Sequence, residues 1–164
     1  MVARAIMATA AWPLIVCTAA EAQRERWPVA AEDAVARSIA QPDAPLDPMA
    51  IEMNVCGSGE SGGLGYLNSM PDYRDPRSLN VELMPSVRAD LTEQLGGDPV
   101  DILLNKRIIV FGQPRQVRIE WMLGGEPMGA SYTQTQLRLQ TAGLLEPAIM
   151  DGNLAAADCG DANP

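Results

Sequence analysis

Residues 79–97 read LNVELMPSVRADLTEQLGG, and the change of period inside this stretch decides the fold class. Leu79, Val81 and Leu83 alternate with Asn80 and Glu82, the two-residue repeat of a half-buried strand. From Val87 onward the apolar positions Leu91 and Leu95 follow every four residues, as on one helix face. Ser86 reads as the N-cap and Gly96-Gly97 as the stop. Upstream, Ile51, Met53 and Val55 alternate with Glu52 and Asn54 as a first strand, and Tyr66-Leu67-Asn68 reads as a second. Between them, the glycines from Gly57 to Gly65 predict a mobile loop or a bulged hairpin, and Pro71 to Pro76 is a turn-rich connection. Downstream, Ile108 to Phe111 is a buried strand, and Val117, Ile119 and Trp121 continue its alternation past Gly112 and Pro114. Met122 to Ser131 holds three glycines and a proline and predicts a loop. Leu137 and Leu139, set between Gln136, Arg138 and Gln140, form the last strand.

Three strands, one helix and two strands predict a mainly β domain over 49–148. This is the order of an OB-fold-like five-stranded Greek-key barrel, with its helix between strands three and four. Two runs carry a resemblance of the same kind. Tyr66-Leu67-Asn68, Asp72-Tyr73-Arg74-Asp75-Pro76 and Leu79-Asn80-Val81, followed by Asn105-Lys106-Arg107-Ile108-Ile109-Val110-Phe111-Gly112, resemble motifs of a group of exported bacterial OB-fold proteins. The resemblance covers about residues 51–147, with Asn105 where the group has a glycine and a longer final hairpin at Gly124 to Ser131. It implies the barrel, and by analogy the binding of nucleic acid or a small ligand.

Outside the domain, residues 28–40 predict a short helix with Pro28 in its first turn. Glu32 and Asp33 sit at its positive end, and Val29, Val35 and Ile39 lie on one side. Residues 23–48 form this helix and an arm broken by Pro42, Pro45 and Pro48. Residues 149–164, rich in Ala, Asp, Gly and Asn, read as a disordered acidic tail. Residues 1–22 read as a signal peptide. Arg4 precedes an uncharged stretch from Ile6 to Ala20, and Ala20-Glu21-Ala22 is a small-x-small site with cleavage before Gln23. The apolar stretch is short for a membrane span. Val16 stands where a lipoprotein box needs a small residue before Cys17, so the reading is a periplasmic or secreted protein without a lipid anchor there. Cleavage leaves Cys56 and Cys159, which in an oxidising compartment either pair or stay as a buried and a solvated thiol.

The formal net charge is −9, and it is segregated. Residues 56–140 hold eight basic and ten acidic side chains, a balance of −2 between two acidic ends. Such a surface disfavours anionic polymers as partners. The chain has no histidine, which excludes Ser-His and Cys-His triads and His-ligated metals. No paired carboxylates stand out, Asp72, Asp75 and Glu82 match no EF-hand spacing, and the Gly57 to Gly63 run lacks the lysine of a phosphate loop. Neither an enzyme nor a cofactor is expected, and an inactive OB-nuclease relative is the weakest reading. The leading expectation is a cell-envelope binding module whose groove holds a protein, saccharide or small ligand. The alternative is an OB-fold single-stranded nucleic-acid binder. The candidate contacts are Tyr73, Arg74 and Arg77 in the turn-rich connection, with Arg115, Arg118, Trp121 and Arg138 on the last strands. Against them, Asp72 and Asp75 are placed to cap turns and pair with Arg74 and Arg77, and Arg138 to pair with Glu120 across strands.

Overall fold

The computed structural model describes residues 28–160. The expected leader, its cleavage site and Cys17 lie outside the described residues. The molecule is mainly β. Val29–Ala30 (β1) pairs in parallel with Met49–Asn54 (β2), and β2 pairs antiparallel with Arg107–Gly112 (β6), Ile51 facing Val110. Leu145–Pro147 (β9) closes this first sheet, in the order β1-β2-β6-β9. The second sheet holds Gly57–Ser61 (β3), Leu64–Asn68 (β4), Leu79–Leu83 (β5), Arg115–Leu123 (β7) and Glu126–Leu139 (β8). Its order is β3-β4-β5-β8-β7, with β5 and β8 parallel and the other neighbours antiparallel. Among the described residues neither sheet closes on itself. The two are continuous in the chain, because only Val55–Cys56 separates β2 from β3 and only Gln113–Pro114 separates β6 from β7.

The core lies between the sheets. Ile51, Met53 and Val55 meet Leu67, Val81, Leu83, Ile108, Val110, Leu137 and Leu139 there, all essentially inaccessible to water. Helix α1 (Ala31–Ala40) buries Ala31, Ala34, Val35 and Ser38, the i, i+3, i+4, i+7 positions of one face. Of the expected apolar positions, Val35 is buried and Val29 packs against the core from β1, but Ile39 is 53% exposed; the helix begins at Ala31, after Pro28 and Val29. Helix α2 (Pro85–Leu95) follows β5 as the period change requires and packs Val87 and Leu91 inward. Its N-cap is Met84 rather than Ser86, because Pro85 takes the first helical position, where its missing N–H costs nothing. The helix ends at Gly96 in the left-handed conformation. A one-turn helix, α3 (Pro99–Ile102), adds itself before β6, capped by Asp98, which accepts from the Val100 N–H at 3.1 Å. Asn105, standing where the resembled motif has glycine, has φ +60°, a region that asparagine tolerates better than most residues.

Of the two readings of the glycine run at 57–65, the hairpin holds, as β3–β4. Two sequence expectations change. Residues 122–131 are not a loop but the outer part of the β7–β8 hairpin: Leu123 pairs with Glu126 around Gly124 and Gly125, both at positive φ, as a two-residue turn requires. The region from 149 is not a disordered tail as far as it is described. Ile149–Met150 (β10) and Asn153–Leu154 (β11) form a ribbon. The Arg107 N–H then donates to the Ala155 carbonyl, and the Ala157 N–H to that of Asn105, so the segment is stitched to the start of β6. A disulfide between Cys56 and Cys159 fixes its end.

Candidate functional site

One face of the five-stranded sheet feeds the core through Leu67, Val81, Leu83, Leu137 and Leu139. Alternation sends the neighbours to the other face, where the register sets Tyr66 beside Glu82, Asn68 beside Asn80, Gln136 beside Asn80, Arg138 beside Glu82, and Tyr132 beside Ile119. Of these, Tyr66, Asn68, Asn80, Ile119, Tyr132 and Gln136 line a groove of about 440 Å³ that crosses the sheet from Ser58–Ser61 on β3 to Ile119 on β7. All three tyrosines of the chain, Tyr66, Tyr73 and Tyr132, reach it. So do four amides, Asn68, Asn80, Gln134 and Gln136. Gly59 faces Tyr66 across the β3–β4 pair with no side chain, and a Cβ built there meets nothing within 4 Å. That glycine keeps the groove open at its β3 end.

The loop between β4 and β5 is held to the floor by its backbone. The Tyr73 carbonyl accepts from Gln134 Nε2 at 3.0 Å and from Asn80 Nδ2 at 3.3 Å. Gln136 Nε2 donates to Gln134 Oε1 at 3.0 Å, and Ser78 Oγ to Asn80 Oδ1 at 3.1 Å, so the floor amides are oriented. Asn68 is 6% exposed, and its Oδ1 has no hydrogen-bond partner among the described residues. A buried acceptor left in that state costs free energy unless something else donates to it. Burial pushes the Tyr132 phenol above its ordinary value, with Tyr73 adding to the shift. Burial, followed by the Glu82 carboxylate, does the same for Tyr66. Both hydroxyls stay protonated donors at neutral pH.

Most cations around the groove are neutralised locally; Arg115, at the start of β7, has no ion-pair partner among the described residues. Arg138 donates to Glu82 through Nε at 2.7 Å and Nη2 at 3.2 Å, so the expected pairing with Glu120 is replaced by one across the parallel strands. The two β5 polar residues are therefore not the wet face of a half-buried strand: Asn80 and Glu82 are 2% and 5% exposed beneath the groove side chains. Arg88 pairs with Asp98 and, at 2.5 Å, with Glu60. Arg74 donates to Asp72 and Arg77 to Asp75, each aspartate also accepting the backbone N–H of its arginine, the turn-capping arrangement expected from the sequence. The Arg77 guanidinium holds the Asp75 carboxyl down at about 2, and Arg74 lowers Asp72 in the same way.

The sequence-derived candidates are thus only partly assembled. Tyr73 lines the groove, and the Arg74 guanidinium lies 5.5 Å from its ring centre. Trp121 packs against Tyr132 with ring centres 5.7 Å apart, at the groove's β7 end. Arg115 shares the groove side of β7, because it faces Gln136 in the register. Arg118 points to the opposite face, beside Thr133, so Arg115, Arg118 and Arg138 do not form a single strip. Arg77 is bound up with Asp75 outside the groove lining. The sequence reading missed Tyr66, Tyr132 and the four amides. Their signal was the strand parity itself, which puts Tyr66 and Asn68 on β4 and Gln134 and Gln136 on β8 on the face opposite the core-facing leucines. Compared with known proteins, the chain matches no family model and no curated sequence.

Proposed function

We propose that this is a non-enzymatic binding module of the cell envelope, built as an OB-type barrel, whose groove takes an uncharged, hydrogen-bonding ligand of the saccharide class. If β2 with β3 counts as one bent strand and β6 with β7 as another, the pairings run in a ring: first with second, second with third, third parallel to fifth, fifth with fourth, fourth with first. The helix between the third and fourth and the motif resemblance support the same reading, as does the Cys56–Cys159 bond for an oxidising compartment.

The observation that carries the ligand class is the convergence of three tyrosines and four amides in a groove whose described lining holds no arginine or lysine, with Arg74, Arg88 and Arg138 beside it paired to carboxylates. Phenol rings offer flat faces to sugar C–H groups, and amides give donors and acceptors without charge. A phosphate backbone needs surplus positive charge, which the groove withholds. The test titrates the protein with chitotetraose, maltotetraose and labelled single-stranded DNA at low and moderate salt, reading Trp and Tyr emission and calorimetric heat. Saturable binding of an oligosaccharide, insensitive to salt and lost in Tyr132→Ala, is the expected result. Micromolar DNA binding that collapses as salt rises transfers the groove to nucleic acid and overturns the saccharide assignment.

A further inference from the structure

The β7 strand is the edge of the five-stranded sheet, and its outer side has no strand partner among the described residues. The preceding chain meets it near its start: the Leu46 N–H donates to the carbonyl of Pro114, just before the strand, at 3.3 Å, and Gln116 Nε2 donates to Ser38 Oγ of α1 at 3.2 Å. From Arg115 nine residues run on to Leu123, and Trp121, Met122 and Leu123 are 44%, 56% and 69% exposed. Edge strands of this length and polarity are ready-made templates for pairing, and native proteins usually blunt them. Here the irregularity in the β7–β8 ladder falls on the far side. Between Glu120↔Ser131 and Met122↔Pro127, β8 carries the additional residues while β7 stays regular, so Val117, Ile119 and Trp121 keep one face and Arg118 and Glu120 the other.

We infer that the β7 edge pairs antiparallel with the β7 edge of a second copy of this chain, about a two-fold axis at Ile119. The sequence Val117-Arg118-Ile119-Glu120-Trp121 is self-complementary in that register. Arg118 faces Glu120 of the second copy, and Glu120 faces its Arg118, giving two cross-strand ion pairs on one face. Among the described residues neither side chain has an ion-pair partner within its own chain, and both are exposed. On the other face Val117 meets Trp121 twice and Ile119 meets itself. Gln116 and Arg115 lie opposite Met122 and Leu123, which brings those exposed apolar side chains onto a neighbouring strand. An isologous contact of this kind closes on itself, so it yields a dimer rather than a fibre. The two five-stranded sheets become one ten-stranded sheet with both grooves on the same face. Charge complementarity selects the second copy over any other strand: a shift of one residue in register sets Arg118 against Ile119 and loses both pairs.

A charge-swap cycle tests this, read by sedimentation equilibrium on the purified protein up to about 100 μM, with circular dichroism confirming that each variant is folded. The native protein is expected to be a dimer. Glu120→Arg sets two like charges opposite each other twice and is expected to raise the dimer dissociation constant about tenfold or more. Arg118→Glu combined with Glu120→Arg rebuilds both pairs with reversed polarity and restores dimerisation. The inference is overturned by a native monomer at every concentration, by a dimer indifferent to Glu120→Arg, or by a folded double variant that stays monomeric.

Discussion

At the residue scale, two glycines two positions apart on β3 have opposite reasons to be glycine. A Cβ on Gly57 sits 2.9 Å from the Met70 carbonyl oxygen and 3.1 Å from that of Pro71, both backbone atoms with little freedom to retreat. Gly57→Ala is expected to cost about 1–3 kcal/mol, seen as a lower urea midpoint at unchanged slope. Gly59 opens onto empty space, so Gly59→Trp should leave the midpoint nearly unchanged while filling the groove and abolishing oligosaccharide binding. A variant that binds normally would place the ligand elsewhere. Titration is also decided residue by residue. The Asp75 carboxyl is held at about 2 in the folded state against 3.8 in the free group, through its hydrogen bonds from Arg77, and Asp72 and Asp98 are lowered by Arg74 and Arg88. A depressed carboxylate contributes stability above its unfolded pKa and loses it as pH falls toward the folded value. The urea midpoint is therefore expected to hold from pH 7 to about 5 and to drop between about pH 4 and 2. Asp75→Asn should shallow that drop; an unaltered profile would remove Asp75 from the account.

At the element scale, the unusual feature is the parallel pairing of β5 with β8, clamped by Arg138 on Glu82. Glu82 is buried while Arg138 is half exposed, so the pair does less by its own attraction than by sparing Glu82 an unmatched charge. Arg138→Met is expected to destabilise the fold by about 2 kcal/mol in chemical denaturation. Arg138→Met with Glu82→Gln, which removes the charge as well, should recover part of that loss. Period and turn chemistry made most elements legible: β2, β4, β5, α2, β6 and the Gln136–Leu139 end of β8 lie where alternation or the four-residue repeat puts them. The extension of the β7–β8 hairpin was hidden because Gly124, Gly125, Pro127 and Gly129 look like loop composition, whereas two of them make a tight turn and the others sit where the ladder is irregular. On helix α1, Val35 is buried as expected but Ile39 is not. The sequence favours Ile39 because it outweighs alanine on any hydrophobicity scale. Close packing against the sheet selects the small residues Ala31 and Ala34 instead.

At the scale of the whole molecule, the Cys56–Cys159 bond joins residues 103 positions apart and closes most of the described domain, everything from β3 on, into one loop. For a loop near 100 residues the chain-entropy argument gives about 4–5 kcal/mol. Cys159→Ser is expected to lower stability by that order, or less if the unfolded chain keeps structure. It should also release the 155–160 segment from the start of β6, seen as faster amide exchange at Arg107 and Ala157. Protection unchanged in that variant would show that the backbone hydrogen bonds hold the segment unaided.

By itself the sequence determined the mainly β class, the order of the principal strands about one helix, the turn-capping roles of Asp72 and Asp75, and the absence of histidine chemistry. All of these depend on neighbours within a few positions, where period, dihedral preference and side-chain reach act directly. Only the tertiary structure decided which strands lie side by side, and with that which residues share a face. Tyr66, Tyr73 and Tyr132 converge, Arg118 is turned away from Arg115, and Arg138 finds Glu82, because strand register links residues more than fifty positions apart. Composition cannot encode a register: a shift of one residue leaves every count unchanged and sends every side chain to the opposite face.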